Sequence, residues 1–68
     1  MPYKSTEVLN KLLRAGFEIK RQSGSHIVLR HIDGRQTYVS KHTKDIPAGT
    51  FKAILKQSNI SEEEFKDL

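Results

Sequence analysis

Two turn signals, Gln22-Ser23-Gly24-Ser25 and Asp33-Gly34, cut residues 17–40 into three short stretches. Glycine supplies the positive φ that tight turns need, and Asp-Gly between apolar runs is a strong hairpin signal. The first stretch alternates Phe17 and Ile19 with Glu18 and Lys20. The second, residues 26–32, is rich in β-branched and apolar side chains, and the third, residues 36–40, holds Thr37, Tyr38 and Val39. Strands joined by such tight turns run antiparallel.

Helical spacing flanks this block. Ser5 or Thr6 is placed to cap a first helix, with Glu7 opposing its positive end. Val8, Leu9, Leu12 and Leu13 form one apolar stripe, which Ala15-Gly16 brings to a close. Ile46-Pro47-Ala48-Gly49-Thr50 leads into a second helix with Phe51, Ile54 and Leu55 on one face, closed by Ser58-Asn59. Ser61 with Glu64 is a capping box that opens a short last helix, from which Phe65 and Leu68 pack back. The order predicts an α+β fold: a two-layer α-β-β-β-α domain with a three-stranded antiparallel sheet, helices on one face and a short C-terminal helix. Val8, Leu9, Leu12, Leu13, Phe17, Ile19, Ile27, Leu29, Val39, Ile54 and Leu55 are the expected core.

Sixty-eight residues give one small domain, residues 1–68, too little for a deep enclosed pocket. The absence of cysteine excludes disulfides and thiolate metal sites. No apolar run approaches the roughly 20 residues that span a bilayer. No signal peptide is seen, so the expected location is the cytoplasm, and a monomer is the expected free state. Residues 1–60 carry 11 Lys and Arg against four Asp and Glu, whereas residues 61–68 carry one against four. A basic body points to a polyanion, most simply nucleic acid, although a basic surface can also be merely solvated.

Three histidines are the side chains that titrate near neutrality. His26 follows a glycine turn at the head of a strand, where a phosphate can come close. Strand alternation groups His26 with Val28 and Arg30, and Ile27 with Leu29 and His31. Both sets hold apolar residues, so alternation in this strand leaves open which one meets the helices. His31 is expected to be a solvated residue near the Asp33-Gly34 tip. The spacing of His26, His31 and His42 fits no familiar metal set. The body's four carboxylates, Glu7, Glu18, Asp33 and Asp45, form no obvious pair, which argues against a two-metal nuclease. No Walker or dinucleotide loop is present.

The cations are arranged to meet phosphates. Lys20 and Arg21 precede the glycine turn, and Lys41, His42 and Lys44 share a polar loop. Lys52 and Lys56 lie four apart on one helix face, behind a helix start with free backbone N–H groups. Each pair is equally compatible with a solvated surface. Tyr3 and Tyr38 are the only partly polar aromatics, few for a protein that stacks single-stranded bases.

The strings Leu12-Leu13-Arg14-Ala15-Gly16-Phe17, Arg21-Gln22-Ser23-Gly24-Ser25-His26, Val39-Ser40-Lys41-His42 and Pro47-Ala48-Gly49-Thr50-Phe51-Lys52-Ala53-Ile54-Leu55-Lys56-Gln57 together resemble the HicA family of toxins. The likeness covers about residues 5–65. It implies a double-stranded-RNA-binding-domain-like fold, metal-independent endoribonuclease activity on messenger RNA, no cofactor and inhibition by a HicB-like antitoxin. By this resemblance the catalytic histidine is His26, preceded by the family's glycine and serine at Gly24 and Ser25. One departure is that many relatives have proline two residues before the second histidine, where this chain has Ser40. RNA-binding residues are then expected among Gly24, Ser25, Lys20, Arg21, Lys41, His42, Lys44, Lys52 and Lys56. The alternatives are a non-catalytic RNA-binding module of the same fold and a small subunit whose basic face meets an acidic protein.

Overall fold

The computed structural model describes residues 3–41 and 45–68. Helix α1 (Ser5–Arg14) is followed by strands β1 (Phe17–Ser23), β2 (His26–His31) and β3 (Gln36–Ser40), then by helices α2 (Ala48–Ser58) and α3 (Glu62–Lys66). The strands form one antiparallel sheet in the order β1-β2-β3. This is the predicted α+β order, α-β-β-β-α with a short C-terminal helix. Among the described residues, no helix is long and apolar enough to cross a membrane.

The stripe on α1 buries Val8, Leu9 and Leu12. Its cap differs from the expectation: Lys4, not Ser5 or Thr6, holds the N-cap position, and the Glu7 carboxylate accepts the Lys4 backbone N–H at 2.9 Å. Ser5 is buried in the first turn, where its hydroxyl donates to the Lys41 carbonyl at 3.4 Å. Gly16 ends the helix with φ of 101°. That left-handed backbone favours glycine, and a β-carbon there would lie 2.9 Å from Nε2 of His31.

Both hairpins depart slightly from the sequence reading. β1 runs on through Ser23, so the first turn is only Gly24-Ser25. Gly24 has φ of 60° and Ser25 is not in the positive region, the order of a type II′ turn. The second loop has three residues, Ile32-Asp33-Gly34: the Gly34 N–H donates to the His31 carbonyl at 2.9 Å and the His31 N–H to the Arg35 carbonyl at 2.8 Å. Gly34 takes φ of 103°, the glycine position of a three-residue hairpin. Ile32 therefore leaves the strand and is 98% exposed.

The core joins Val8, Leu9, Leu12, Phe17, Ile27, Leu29, Val39, Ile46, Ile54, Ile60 and Phe65. Two expected members are corrected. Leu13 is 40% exposed at the flank of the α1 stripe, and Ile19 is 45% exposed on the edge strand, beyond the area the helices cover. Leu55 is only partly buried. Ile46 and Ile60 join instead, from the segments that lead into and out of α2. Phe65 packs back as expected, its ring centroid 5.3 Å from those of both Tyr3 and Phe51.

Side chains lock the helices to the sheet. The Thr37 hydroxyl donates to Oε1 of Gln57 at 2.8 Å. Arg35 donates to the Ser58 carbonyl, an acceptor at the negative end of α2, and to Oδ2 of Asp33 at 2.8 Å. The Lys11 amino group donates to the Leu68 carbonyl at 2.9 Å, tying α3 to α1. The Ser61–Glu64 box is formed, with both of its bonds at 3.1 Å.

Candidate active site on the open sheet face

β3 settles what alternation in β2 leaves open. Thr37 and Val39 are buried, so they face the helices, and Tyr38 points away. The register Ile27↔Val39, Leu29↔Thr37 and Val28↔Tyr38 then turns Ile27 and Leu29 inward, and His26, Val28 and Arg30 outward. His26 is exposed on the sheet face that, among the described residues, no helix covers.

The outward residues align in rows across the three strands. His26 stands between Ser23 and Ser40, Val28 between Arg21 and Tyr38, and Arg30 between Glu18 and Gln36. Arg21 reaches this face through a β-bulge. The pairing slips from Ile19↔Leu29 to Arg21↔Val28, which leaves Lys20 as the extra residue. An unbulged strand would put Lys20, not Arg21, on the outer side, and Gln22, not Ser23, beside His26.

Backbone bonds fix the surroundings of His26. The type II′ turn sets its position at the first residue of β2. The Lys41 N–H donates to the Ser25 carbonyl at 2.7 Å, while the Lys41 carbonyl accepts from Ser5. Lys41 is thus pinned by both peptide groups at the end of the sheet where the imidazole lies, with its side chain exposed.

Gly24, Ser25, His26, Arg21 and Lys41 therefore gather toward one end of the open face, whereas Lys20, the extra residue of the bulge, lines a groove toward the other end. His42 and Lys44 lie outside the described residues. Lys52 and Lys56 are exposed on α2, which packs in the layer behind the sheet, so they do not share the face of His26. His31 points inward, its ring edge-on to Phe17 at 5.2 Å between centroids. Its expected place as a solvated residue is corrected to a half-buried one, packed over Gly16. Nδ1 of His31 accepts the Asp33 N–H at 3.2 Å and lies 3.1 Å from Oδ1 of the same residue. Hydrogen bonds from Arg35 hold the Asp33 carboxyl below the usual range.

His26 and His31 occupy opposite faces of β2. Among the described residues, no three of His, Asp and Glu lie together as metal ligands would. A groove of about 480 Å³ does exist, lined in part by Lys20, Arg30 and Ile32. It sits at the Gly34 end of the sheet, away from His26.

Strand alternation correctly grouped Arg30 with His26, but sequence reasoning did not name Arg30 as a binding residue and did not place Tyr38 on this face. The missed signal was the alternation of β3, where buried Thr37 and Val39 flank Tyr38. Compared with models of known families, residues 5–60 match the one described as HicA toxin of bacterial toxin-antitoxin. A comparison with curated proteins finds no match. A match that long, on the predicted order of helices and strands, means that the chain belongs to the HicA toxin family of bacterial toxin–antitoxin systems.

Proposed function

We propose that this protein is an endoribonuclease that cuts messenger RNA without a metal ion, with His26 as general base. The carrying observation is the place of His26: exposed at the head of β2, beside a tight glycine turn, with Arg21 on the same face. RNA brings its own nucleophile, the ribose 2′-hydroxyl. The protein must take that proton, hold the phosphate in line and offset its growing negative charge. An exposed imidazole, able to accept and donate a proton, suits the first task. Arg21 and Lys41 suit the last, with Lys20 adding attraction from further along the strand, and Gly24-Ser25 lets the backbone approach. A general acid, His42 or water, protonates the leaving 5′-oxygen.

In this reading, transcripts are cut in the cytoplasm by a monomer, and the partner that the family implies is a HicB-like antitoxin that covers the His26 end of the face. Lys44, Lys52 and Lys56 add long-range attraction for RNA. A non-catalytic RNA-binding module would share the same basic surface, so the test must read cleavage. Wild-type protein in EDTA should cut an unstructured transcript, and His26→Ala should lose about 10²–10⁴-fold in rate while RNA binding and thermal midpoint stay near wild type. Loss of wild-type cleavage in EDTA, or equal cleavage by His26→Ala, would overturn the proposal.

A further inference from the structure

We infer that the open sheet face beyond His26 is a track for unpaired RNA, with Tyr38 as a base-stacking platform and Arg21 and Arg30 as phosphate contacts. Tyr38 is 53% exposed on the uncovered face. Its hydroxyl accepts from Nε2 of Gln36 at 2.8 Å, which holds the ring over its own strand. Arg21 lies in the same row across Val28, and Arg30 one row further. Successive rows on one face are two residues apart, about 6.7 Å, so the track from His26 to Arg30 is about 13 Å long.

The chemistry favours a single strand. An exposed aromatic ring on a flat sheet offers a π-face to a base only when that base is unstacked from a partner. The flanking arginines carry the charge that a phosphate chain requires, and guanidinium groups bind phosphate in a fork. A duplex presents phosphates and ribose hydroxyls but no free base face, so Tyr38 would contribute nothing to it.

This proposal rests on the ribonuclease reading only for where the scissile bond lies, and binding can be measured apart from cutting. The His26→Ala chain, with and without Tyr38→Ala, Tyr38→Phe or Arg21→Gln/Arg30→Gln, is titrated into a fluorescent 12-nucleotide single strand and a 12-base-pair RNA duplex. The expected result is tighter binding of the single strand. Tyr38→Ala should weaken it by roughly 5- to 150-fold, with Tyr38→Phe close to the parent. The arginine pair should flatten its salt dependence. Thermal midpoints confirm that each variant is folded. Equal binding of the single strand by the Tyr38→Ala chain, or loss of binding on Lys52→Gln/Lys56→Gln but not on Tyr38→Ala, would overturn the track. Stacking on Tyr38 in a protein whose wild type does not cut RNA would leave the track standing and remove the nuclease.

Discussion

The Lys41 N–H reaches the Ser25 carbonyl across 2.7 Å, so the residue after β3 is fastened to the turn that presents His26. The bond joins the two chain segments that carry the candidate catalytic groups. Backbone and side chain of Lys41 then have separable roles. Lys41→Gln removes only the charge and should lower cleavage several-fold with little change in stability. Lys41→Pro also deletes the N–H donor; it should lower stability by about 0.5–1.5 kcal/mol and cleavage further than Lys41→Gln does. Urea denaturation beside single-turnover cleavage checks both.

Gly16 makes a different prediction, confined to stability. Its φ of 101° and the 2.9 Å approach to His31 leave no room for a side chain. Gly16→Ala should cost about 2 kcal/mol, from backbone strain and displacement of the imidazole. Part should return in the Gly16→Ala/His31→Ala double variant, since only the steric component depends on His31. Cleavage per folded molecule should match wild type, which an assay corrected for folded fraction would show.

Arg35 ties the β2–β3 loop, Phe17 and the end of α2 together. Its guanidinium carbon sits 5.2 Å from the Phe17 ring centroid, while its N–H groups serve Asp33 and the Ser58 carbonyl. Arg35→Ala should cost about 1.5–3 kcal/mol. Arg35→Lys should recover little, because an ammonium cannot make the forked contact. Chemical denaturation of the two variants is the measurement.

Acid should loosen the same corner. Arg35 holds the Asp33 carboxyl below its ordinary pKa, and the Ser61 N–H and hydroxyl do the same for Glu64. A group depressed in the folded state stabilises it above the unfolded pKa and loses that contribution as pH falls through the folded pKa. Stability should thus be flat near neutrality and decline below about pH 4. Asp33→Asn and Glu64→Gln should each shallow that decline, as thermal midpoints across pH would record. Both carboxylates are exposed, so salt should weaken the effect.

Much of the fold was legible because periodicity and turn chemistry agree with it. The α1 stripe, the closing Gly16, the Ser61–Glu64 box and the strand order all follow local rules. The departures at His31, half-buried instead of solvated, and at Ile32, outside the strand instead of in it, meet at one loop. Asp33-Gly34 alone signals a two-residue turn, whereas the loop takes three residues and pushes Ile32 into solvent. A one-residue change of register exchanges the two faces of a strand. The bulge at Lys20 is equally silent in the sequence, yet it decides that Arg21 and not Lys20 shares a face with His26. Ile46 and Ile60 escaped because lone apolar residues in connecting segments carry no period. The His26 site was readable only through a motif and its turn. That Lys52 and Lys56 lie in another layer required the packing.

The chemistry of the cut ends tests the central claim most directly. Messenger RNA treated with wild-type protein in EDTA should yield fragments ending in 2′,3′-cyclic phosphate or its hydrolysis product, with 5′-hydroxyls on the other side, as mass spectrometry would resolve. Those ends record attack by the ribose hydroxyl. Fragments with 3′-hydroxyl and 5′-phosphate ends would instead record attack by water and contradict the role given to His26.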